Sequence, residues 1–237
     1  KTRYKTYIFD NLTKLQHLNL KIYSSSNDMV EIFGNRPHIC KNLITLKCNY
    51  GFLEYECAKY LINNKHKFPN YSYMSTLCDE YIVLHRNLCL CDYFNIKTLE
   101  LQESMHSIPD DIRLNFLKNA GKHVEYLILE IRSFELLQFS CFPLIKRLKI
   151  IDHYGALKNL LQRVNKIKLI RFDYRGCINL SFFLSLLVIN PLQVKTLIIY
   201  DNMETEYINI KFTDKMIGVD YLFINVNKLV SDDFELI

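Results

Sequence analysis

The feature of this 237-residue sequence that most constrains its fold is a short apolar pattern that returns at nearly constant spacing. In "FPLIKRLKI" apolar side chains occupy positions i, i+3 and i+5, as Ile145, Leu148 and Ile150, and cationic residues fill the gaps. Eight further copies have their middle residues at Leu18, Leu46, Met74, Leu99, Leu127, Ile170, Leu197 and Leu222. These middle residues lie 21 to 28 positions apart. One match would be common in any alternating strand, whereas nine matches at this spacing predict a repeating architecture.

The pattern and its period resemble the leucine-rich repeat, whose copies are roughly 20–29 residues long. In such a repeat a short strand turns its three apolar side chains inward, and a connecting segment returns along the other side. A single repeat cannot bury its own apolar surface, so neighbouring repeats must stack. We therefore predict an α/β leucine-rich-repeat solenoid over residues 1–237. It would be a curved, horseshoe-like arc of about nine irregular repeats, with parallel strands on the concave face and helices and turns on the convex face.

Four return segments have the apolar periodicity of helices, at residues 55–67, 110–121, 155–164 and 179–190. The segment at 110–121 begins with two aspartates and ends at Gly121, which suits the two ends of a helix. Residues 78–94 are the least regular return and could contain an extra strand. The asparagine that closes a regular repeat remains only as Asn202 and Asn227, so we expect an irregular array. Neither end carries a polar capping repeat, and we expect further sequence beyond one or both ends.

Composition favours a folded intracellular protein, cytoplasmic or nuclear. The formal charge of +5 comes from interspersed lysines and arginines, which do not form the continuous stripe typical of nucleic-acid binding. The longest apolar stretch, at 180–189, is about half of the ~20 residues that a membrane span needs. Eight cysteines show no regular pairing distance, and several replace an apolar residue, which predicts buried free thiols in a reducing compartment. We expect no nucleic-acid and no membrane partner.

The sequence carries none of the motifs that commonly mark catalysis. It lacks the H-E-x-x-H, G-x-S-x-G, P-loop and G-x-G-x-x-G patterns, and its seven histidines are scattered. Thiolate and imidazole side chains at Cys78, His85, Cys89 and Cys91 are the kinds of group that bind zinc. However, the C-x-C pair is tight, no second C-x-x-C is present, and cysteine is common at predicted buried positions throughout the chain. We expect no enzyme, no metal and no cofactor.

The combination of strand, helix and a mean spacing of about 26 residues with free cysteines resembles the repeat domains of F-box/LRR proteins, the substrate-receptor subunits of SCF ubiquitin ligases. The resemblance implies that the arc binds a protein substrate on its concave face while an N-terminal F-box docks on Skp1. No F-box-like segment occurs within these residues, so a Skp1 partner is expected only if an F-box precedes Lys1. The alternative is a scaffold, inhibitor or receptor-sensor arc without a link to ubiquitin.

The candidate binding residues lie between the inward-facing positions of the strands. The predicted partner-binding set is Lys97, Glu100, Tyr126, Lys146, Arg147, Lys149, Lys168, Arg171, Tyr174, Lys195, Tyr200 and Tyr221. The predicted repeats align Lys146, Lys168 and Lys195 as a basic ridge on strands ~4.8 Å apart. A parallel acidic row follows, at Asp152, Asp173 and Asp201.

Two interpretations of these rows remain open. In the first, an acidic peptide or protein binds along the basic ridge, with Tyr174 and Tyr200 as aromatic anchors. In the second, solvated strand positions carry charge for solubility, and the lysine and aspartate rows neutralise one another.

Overall fold

A computed structural model describes residues 6–20, 26–34, 36–48, 55–76, 90–102, 110–130, 138–152, 162–176, 192–201, 219 and 221–225. The chain divides into two compact units, Lys1–His123 and Val124–Ile237. They are called unit 1 and unit 2. The single solenoid over 1–237 stays a prediction.

Unit 1 contains four helices and four strands in its described residues. The helices are α1 (Ser26–Phe33), α2 (Pro37–Asn42), α3 (Tyr55–Asn63) and α4 (Asp110–Gly121). The strands are β1 (His17–Leu20), β2 (Thr45–Cys48), β3 (Tyr73–Thr76) and β4 (Thr98–Gln102). Short 3₁₀ helices cover Thr6–Asn11, Lys65–Lys67 and Leu90–Asp92. β1 pairs with β2, and β3 with β4, both in parallel.

Unit 2 is built around five parallel strands that pair in the order of the chain. They are β5 (Tyr126–Glu130), β6 (Arg147–Asp152), β7 (Lys168–Gly176), β8 (Gln193–Asp201) and β9 (Tyr221–Asn225). A 3₁₀ helix, Phe139–Cys141, precedes β6. Parallel neighbours require the chain to return between strands. The predicted α/β class with parallel strands is therefore confirmed for the described residues.

The middle residues of the predicted repeats meet across the strands. Leu18 lies opposite Leu46, Met74 opposite Leu99, and Leu127 opposite Leu148. Leu46, Leu99, Leu127 and Leu148 are all fully buried. Because burial of a leucine side chain contributes about 1.5–3 kcal/mol, these inward positions supply much of the stabilising energy of each repeat.

The seventh repeat differs from its prediction by two residues. Ile170, predicted as its buried middle residue, is 50% exposed, and Phe172 lies opposite both Leu148 and Leu197. The correct apolar trio is Leu169, Phe172 and Tyr174, all buried. The sequence misleads because Ile167 occupies the preceding turn, where its N–H donates to the carbonyl of Val164. Ile145 makes the equivalent bond to Phe142 in the preceding repeat, where the buried middle residue Leu148 follows after three residues. Phe172 follows Ile167 after five residues, so two more residues separate the turn from the buried middle residue here.

The described return segments agree partly with the predicted helices. α4 spans the predicted 110–121, and Phe116, Leu117 and Ala120 form its buried stripe. α3 ends at Asn63 rather than at residue 67, because the chain tightens into the 3₁₀ helix Lys65–Lys67. Of the other two predicted helices, residues 162–164 are helical, while 155–161 and 179–190 lie outside the described residues. None of the helices in the described part of the chain is long and apolar enough to cross a membrane.

Two asparagines tie successive turns of unit 1 together. Asn42 donates its side-chain amide to the carbonyl of Thr13 at 2.7 Å, and Asn70 does the same to Lys41 at 2.7 Å. Each bond reaches back 29 residues, about one repeat. These bonds satisfy turn carbonyls that a strand ladder leaves without a donor. A regular repeat has its asparagine after the strand, whereas Asn42 and Asn70 immediately precede the apolar trio.

The start of unit 1 is fixed by a buried arginine between α1 and α2. The guanidinium of Arg36 donates to the carbonyls of Glu31 and Ile32 at 2.6 and 3.0 Å, and to Asp10 at 2.5 Å. A cation that hydrogen-bonds the last carbonyls of a helix is favourable both as a cap and towards the helix dipole. Arg36 therefore ends α1 and joins it to the 3₁₀ helix Thr6–Asn11.

Candidate functional site

The strand side chains that point away from the buried trios form the outer face of each unit. In unit 2, residues of five consecutive strands lie opposite one another in one row, which we call the arginine row: Tyr126, Arg147, Arg171, Thr196 and Tyr221. Neighbouring strands lie ~4.8 Å apart, so adjacent members of the row can contact the same ligand. Tyr126, Arg171 and Thr196 are half-buried, while Arg147 and Tyr221 are exposed. The row therefore presents arginines between aromatic side chains on an accessible surface.

Two carboxylates of this outer face are already occupied by cations. The Nε of Arg171 donates to both oxygens of Asp173, at 2.8 and 3.1 Å, and Asp173 is only 6% exposed. The Nζ of Lys146 lies 2.7 Å from Oε2 of Glu125, with both side chains well exposed. An exposed pair of this kind contributes little to stability, about 0–1 kcal/mol. Asp173 thus fixes the position of Arg171, whereas Lys146 can leave Glu125 for a ligand with little loss of free energy.

The other cations of the outer face of unit 2 form no such ion pair with any side chain that the structure describes. Among the described residues, no carboxylate lies within ion-pair distance of Arg147, Lys149, Lys168 or Lys195. Arg147, Lys168 and Lys195 are exposed and Lys149 is half-buried. The face therefore carries positive charge that its own described side chains do not neutralise.

The predicted basic ridge is corrected by the strand register. Arg147 lies opposite Arg171, which lies opposite Thr196, so the residues just before them, Lys146, Ile170 and Lys195, occupy corresponding positions. Lys168 instead lies opposite Gln193. The ridge of Lys146, Lys168 and Lys195 was wrong because the seventh repeat was placed two residues too early. An exposed isoleucine stands between the two aligned lysines.

The predicted acidic row does not form either. Asp173 lies opposite Lys149, while Asp152 lies opposite Gly176, which in turn lies opposite Asp201. Asp152 is 1% exposed and belongs to the interior rather than to a surface row. The lysine and aspartate rows of the second sequence interpretation therefore do not run side by side.

Tyr174 belongs to the core and is not an exposed anchor. It is 2% exposed, and its hydroxyl donates to Oδ2 of Asp152 at 3.1 Å. Gly176 makes this bond possible, because a Cβ at that position would collide with the Tyr174 hydroxyl. Of the other predicted residues, Lys97 is exposed immediately before β4, and Tyr200 lies in β8 opposite Arg175, with its side chain outside the described residues.

Glu100, predicted as a partner-binding residue, is 8% exposed and lies within a polar cluster on the outer face of unit 1. Its Oε2 accepts hydrogen bonds from Lys47 Nζ at 2.7 Å and from the Tyr73 hydroxyl at 2.5 Å. Lys47 Nζ also lies 4.8 Å from the centroid of the Tyr73 ring. We call these three residues the Glu100 cluster. Its carboxylate is satisfied by side chains of two other strands.

The electrostatics of the Glu100 cluster disfavour ionisation of its tyrosine. Burial raises the pKa of Tyr73 far above its usual value, and the negative charge of Glu100 and the hydrogen bond to it raise that pKa further. Tyr73 therefore remains a neutral donor at physiological pH. At the edge of the same face, His17 and Thr45 are hydrogen-bonded through Nδ1 and Oγ1 at 3.1 Å.

The candidate zinc ligands fall mostly outside the described residues. Three of them lie outside the described residues: Cys78, His85 and Cys89. The fourth, Cys91, is half-buried in the 3₁₀ helix Leu90–Asp92. Within the part of the chain that the structure describes, no group of three or more His, Cys, Asp or Glu side chains could hold a metal ion. Cys40, Cys57 and Cys141 are buried and form no disulfide within the described part of the chain, which agrees with the burial that the sequence predicts.

Comparison with known proteins adds no relative to this picture. No protein-family model, no curated protein and no solved structure matches the chain.

Proposed function

We propose that the chain is a leucine-rich-repeat arc that recognises another protein through the outer face of its strands. The arginine row of unit 2 carries this proposal. Five consecutive parallel strands pair in register, the apolar trios of β5–β8 are buried, and arginine and tyrosine side chains align at corresponding positions of the other side. Tyrosine and arginine are among the residues that contribute most to binding energy in protein interfaces.

The sequence resemblance extends the proposal to a cellular role. As in F-box/LRR proteins, the arc would hold a substrate protein in the cytoplasm or nucleus while a ubiquitin ligase assembled through Skp1 modifies it. The arc itself would bind the substrate, and the ligase would perform the chemistry. The Skp1 contact requires an F-box upstream of Lys1.

The test of the arc as a recognition surface uses the full-length protein, purified with an affinity tag from the cells that make it. Co-purifying proteins are compared between the wild type and the double variant Arg147→Glu with Lys195→Glu. Both side chains are exposed, so the change should preserve the fold while reversing the charge of the face. We expect at least one abundant partner to be lost. An unchanged set of partners would contradict recognition by the outer face of unit 2.

The same purification tests the ubiquitin link separately. Skp1 should co-purify with the wild type and equally with the double variant, because its proposed contact lies outside this face. Absence of Skp1 from both samples would refute the ligase role and leave the scaffold, inhibitor or sensor alternative.

A further inference from the structure

The outer face of unit 2 carries an excess of positive charge over the part that the structure describes. On the outer side of β5–β8 or immediately beside it, the structure describes seven cationic side chains and three carboxylates. This count leaves out Asp152, which is buried in the interior, and Asp201, whose side chain lies outside the described residues. The cations are Lys146, Arg147, Lys149, Lys168, Arg171, Arg175 and Lys195, and the carboxylates are Glu125, Glu130 and Asp173. Glu125 and Asp173 are already paired with Lys146 and Arg171. A negatively charged ligand is therefore the complementary one.

The geometry points to an acidic segment of the partner protein that crosses β6, β7 and β8, with one carboxylate bound by Arg147 and a second by Lys195. This inference rests on the proposed recognition function and names the chemistry of its partner. Arg147 is the stronger anchor because its planar guanidinium can donate two parallel hydrogen bonds to one carboxylate. Lys195 offers a compact charge on the strand two places away.

The strand spacing sets the distance between the two acidic residues. Arg147 and Lys195 are two strands apart and offset by one residue, which places their backbones ~10 Å apart. A segment in the polyproline II conformation advances about 3.1 Å per residue with three residues per turn, so residues three apart face the same side and lie about 9 Å from one another. The two carboxylates should therefore be three residues apart in a segment of this conformation. Ile170, half exposed on β7 between the aligned Lys146 and Lys195, would contact an apolar residue between the acids. The preferred segment is thus acidic, apolar, any residue, acidic.

Carboxylates suit this face better than a phosphate group. A phosphate concentrates its charge at one point and favours cations that converge on it. Here the unpaired cations are spread across three strands, and the arginine nearest to Arg147 is held by Asp173. Several carboxylates along an extended segment match that distribution.

The test is fluorescence anisotropy with the 237-residue chain and a labelled eight-residue peptide, Gly-Ser-Glu-Leu-Ser-Glu-Ser-Gly. A second peptide has glutamine in place of both glutamates, and a third has phosphoserine there. The protein variants are Arg147→Gln and Lys195→Gln, and the control is Lys118→Gln, an exposed lysine on α4. Circular dichroism of each variant checks that the fold is retained.

We expect the glutamate peptide to bind the wild type and the glutamine peptide to bind at least about tenfold more weakly. Arg147→Gln and Lys195→Gln should each weaken the glutamate peptide about tenfold, the effect of losing one charge-assisted hydrogen bond. Lys118→Gln should leave binding unchanged. Moving the glutamates to a spacing of one or five residues should weaken binding as well.

Three results would overturn the inference. The first is equal binding of the glutamate and glutamine peptides, and the second is an equal loss of affinity for the glutamate peptide in Lys118→Gln and Lys195→Gln. The third is binding of the phosphoserine peptide more than tenfold tighter than that of the glutamate peptide. The last result would assign the face to phosphate. If no peptide binds while the charge-reversed full-length protein still loses its partner, the acidic segment is refuted and protein recognition stands. If neither effect occurs, both proposals fail.

Discussion

The outer faces of the two units differ although their inner faces follow the same rule. In unit 1 the Glu100 carboxylate is covered and receives hydrogen bonds from Lys47 and Tyr73. In unit 2 Arg147 and Lys195 are exposed and have no carboxylate at ion-pair distance among the described residues. Both units, by contrast, have fully buried leucines at middle inner positions, Leu46 and Leu99 in unit 1 and Leu127 and Leu148 in unit 2.

This difference shows that position within a repeat does not determine exposure. Glu100 and Lys149 both lie one residue beyond a buried middle leucine, yet Glu100 is buried and Lys149 is half exposed. Glu100 differs because the Tyr73 hydroxyl and the Lys47 ammonium both bind its carboxylate. A binding surface in such an array must therefore be inferred from the contacts of each strand.

The largest expected effect tests whether the two inner faces are equivalent. Leu99→Ala in unit 1 and Leu148→Ala in unit 2 each remove a fully buried side chain and should lower the free energy of unfolding by about 2–5 kcal/mol. The measurement is urea-induced unfolding followed by circular dichroism. A loss below about 1 kcal/mol in either variant would contradict its inward assignment.

A smaller effect is expected when the Glu100 cluster loses its charge. Glu100→Gln keeps the shape of the side chain but removes the charge-assisted bond from Lys47, and should lower the free energy of unfolding by about 2 kcal/mol. The matched change on unit 2, Arg147→Gln, should stay within about 0.5 kcal/mol because that side chain is exposed. Equal losses in the two variants would remove the proposed difference between the outer faces.

The smallest expected effect is a loss of folding stability at alkaline pH that comes from Tyr73. Its pKa is raised in the folded state, so above pH ~10 the unfolded chain loses this proton while the folded chain keeps it. Folding stability should therefore fall as the pH rises above ~10, by up to about 1.4 kcal/mol per pH unit from this group. In Tyr73→Phe that contribution should vanish, making the fall less steep. Urea titrations from pH 8 to 11 measure it, and parallel curves for the two proteins would show that Tyr73 ionises freely when folded.

Much of the inner face could be predicted from the sequence because the spacing of the apolar residues indicates which side chains are buried. The trios around Leu99, Leu127 and Leu148 are buried as expected, and α4 has its predicted bounds. The seventh repeat failed because Ile167, Leu169 and Ile170 offer two overlapping apolar patterns in a short stretch. Only the strand pairing shows that Ile167 belongs to the turn, so the choice depended on a contact that periodicity does not encode.

The outer face was less predictable because the exposure of each side chain there depends on the side chains that contact it from neighbouring strands. Burial of Glu100 depends on the reach of Tyr73 from a different row of the adjacent strand, and the exposure of Tyr174 was overestimated with the misplaced repeat. The asparagine bonds were missed although a signal was present. Asn42 and Asn70 each stand directly before an apolar trio and are one repeat apart.

The most direct test of the central claim, that binding belongs to the outer face of unit 2, is an NMR titration of the labelled chain with the glutamate peptide. We predict that amide signals of residues 146–149, 170–171 and 195–196 shift with peptide concentration, while those of 45–48, 73–76 and 98–102 stay in place. Shifts concentrated on the unit 1 strands, with the unit 2 signals unchanged, would contradict it.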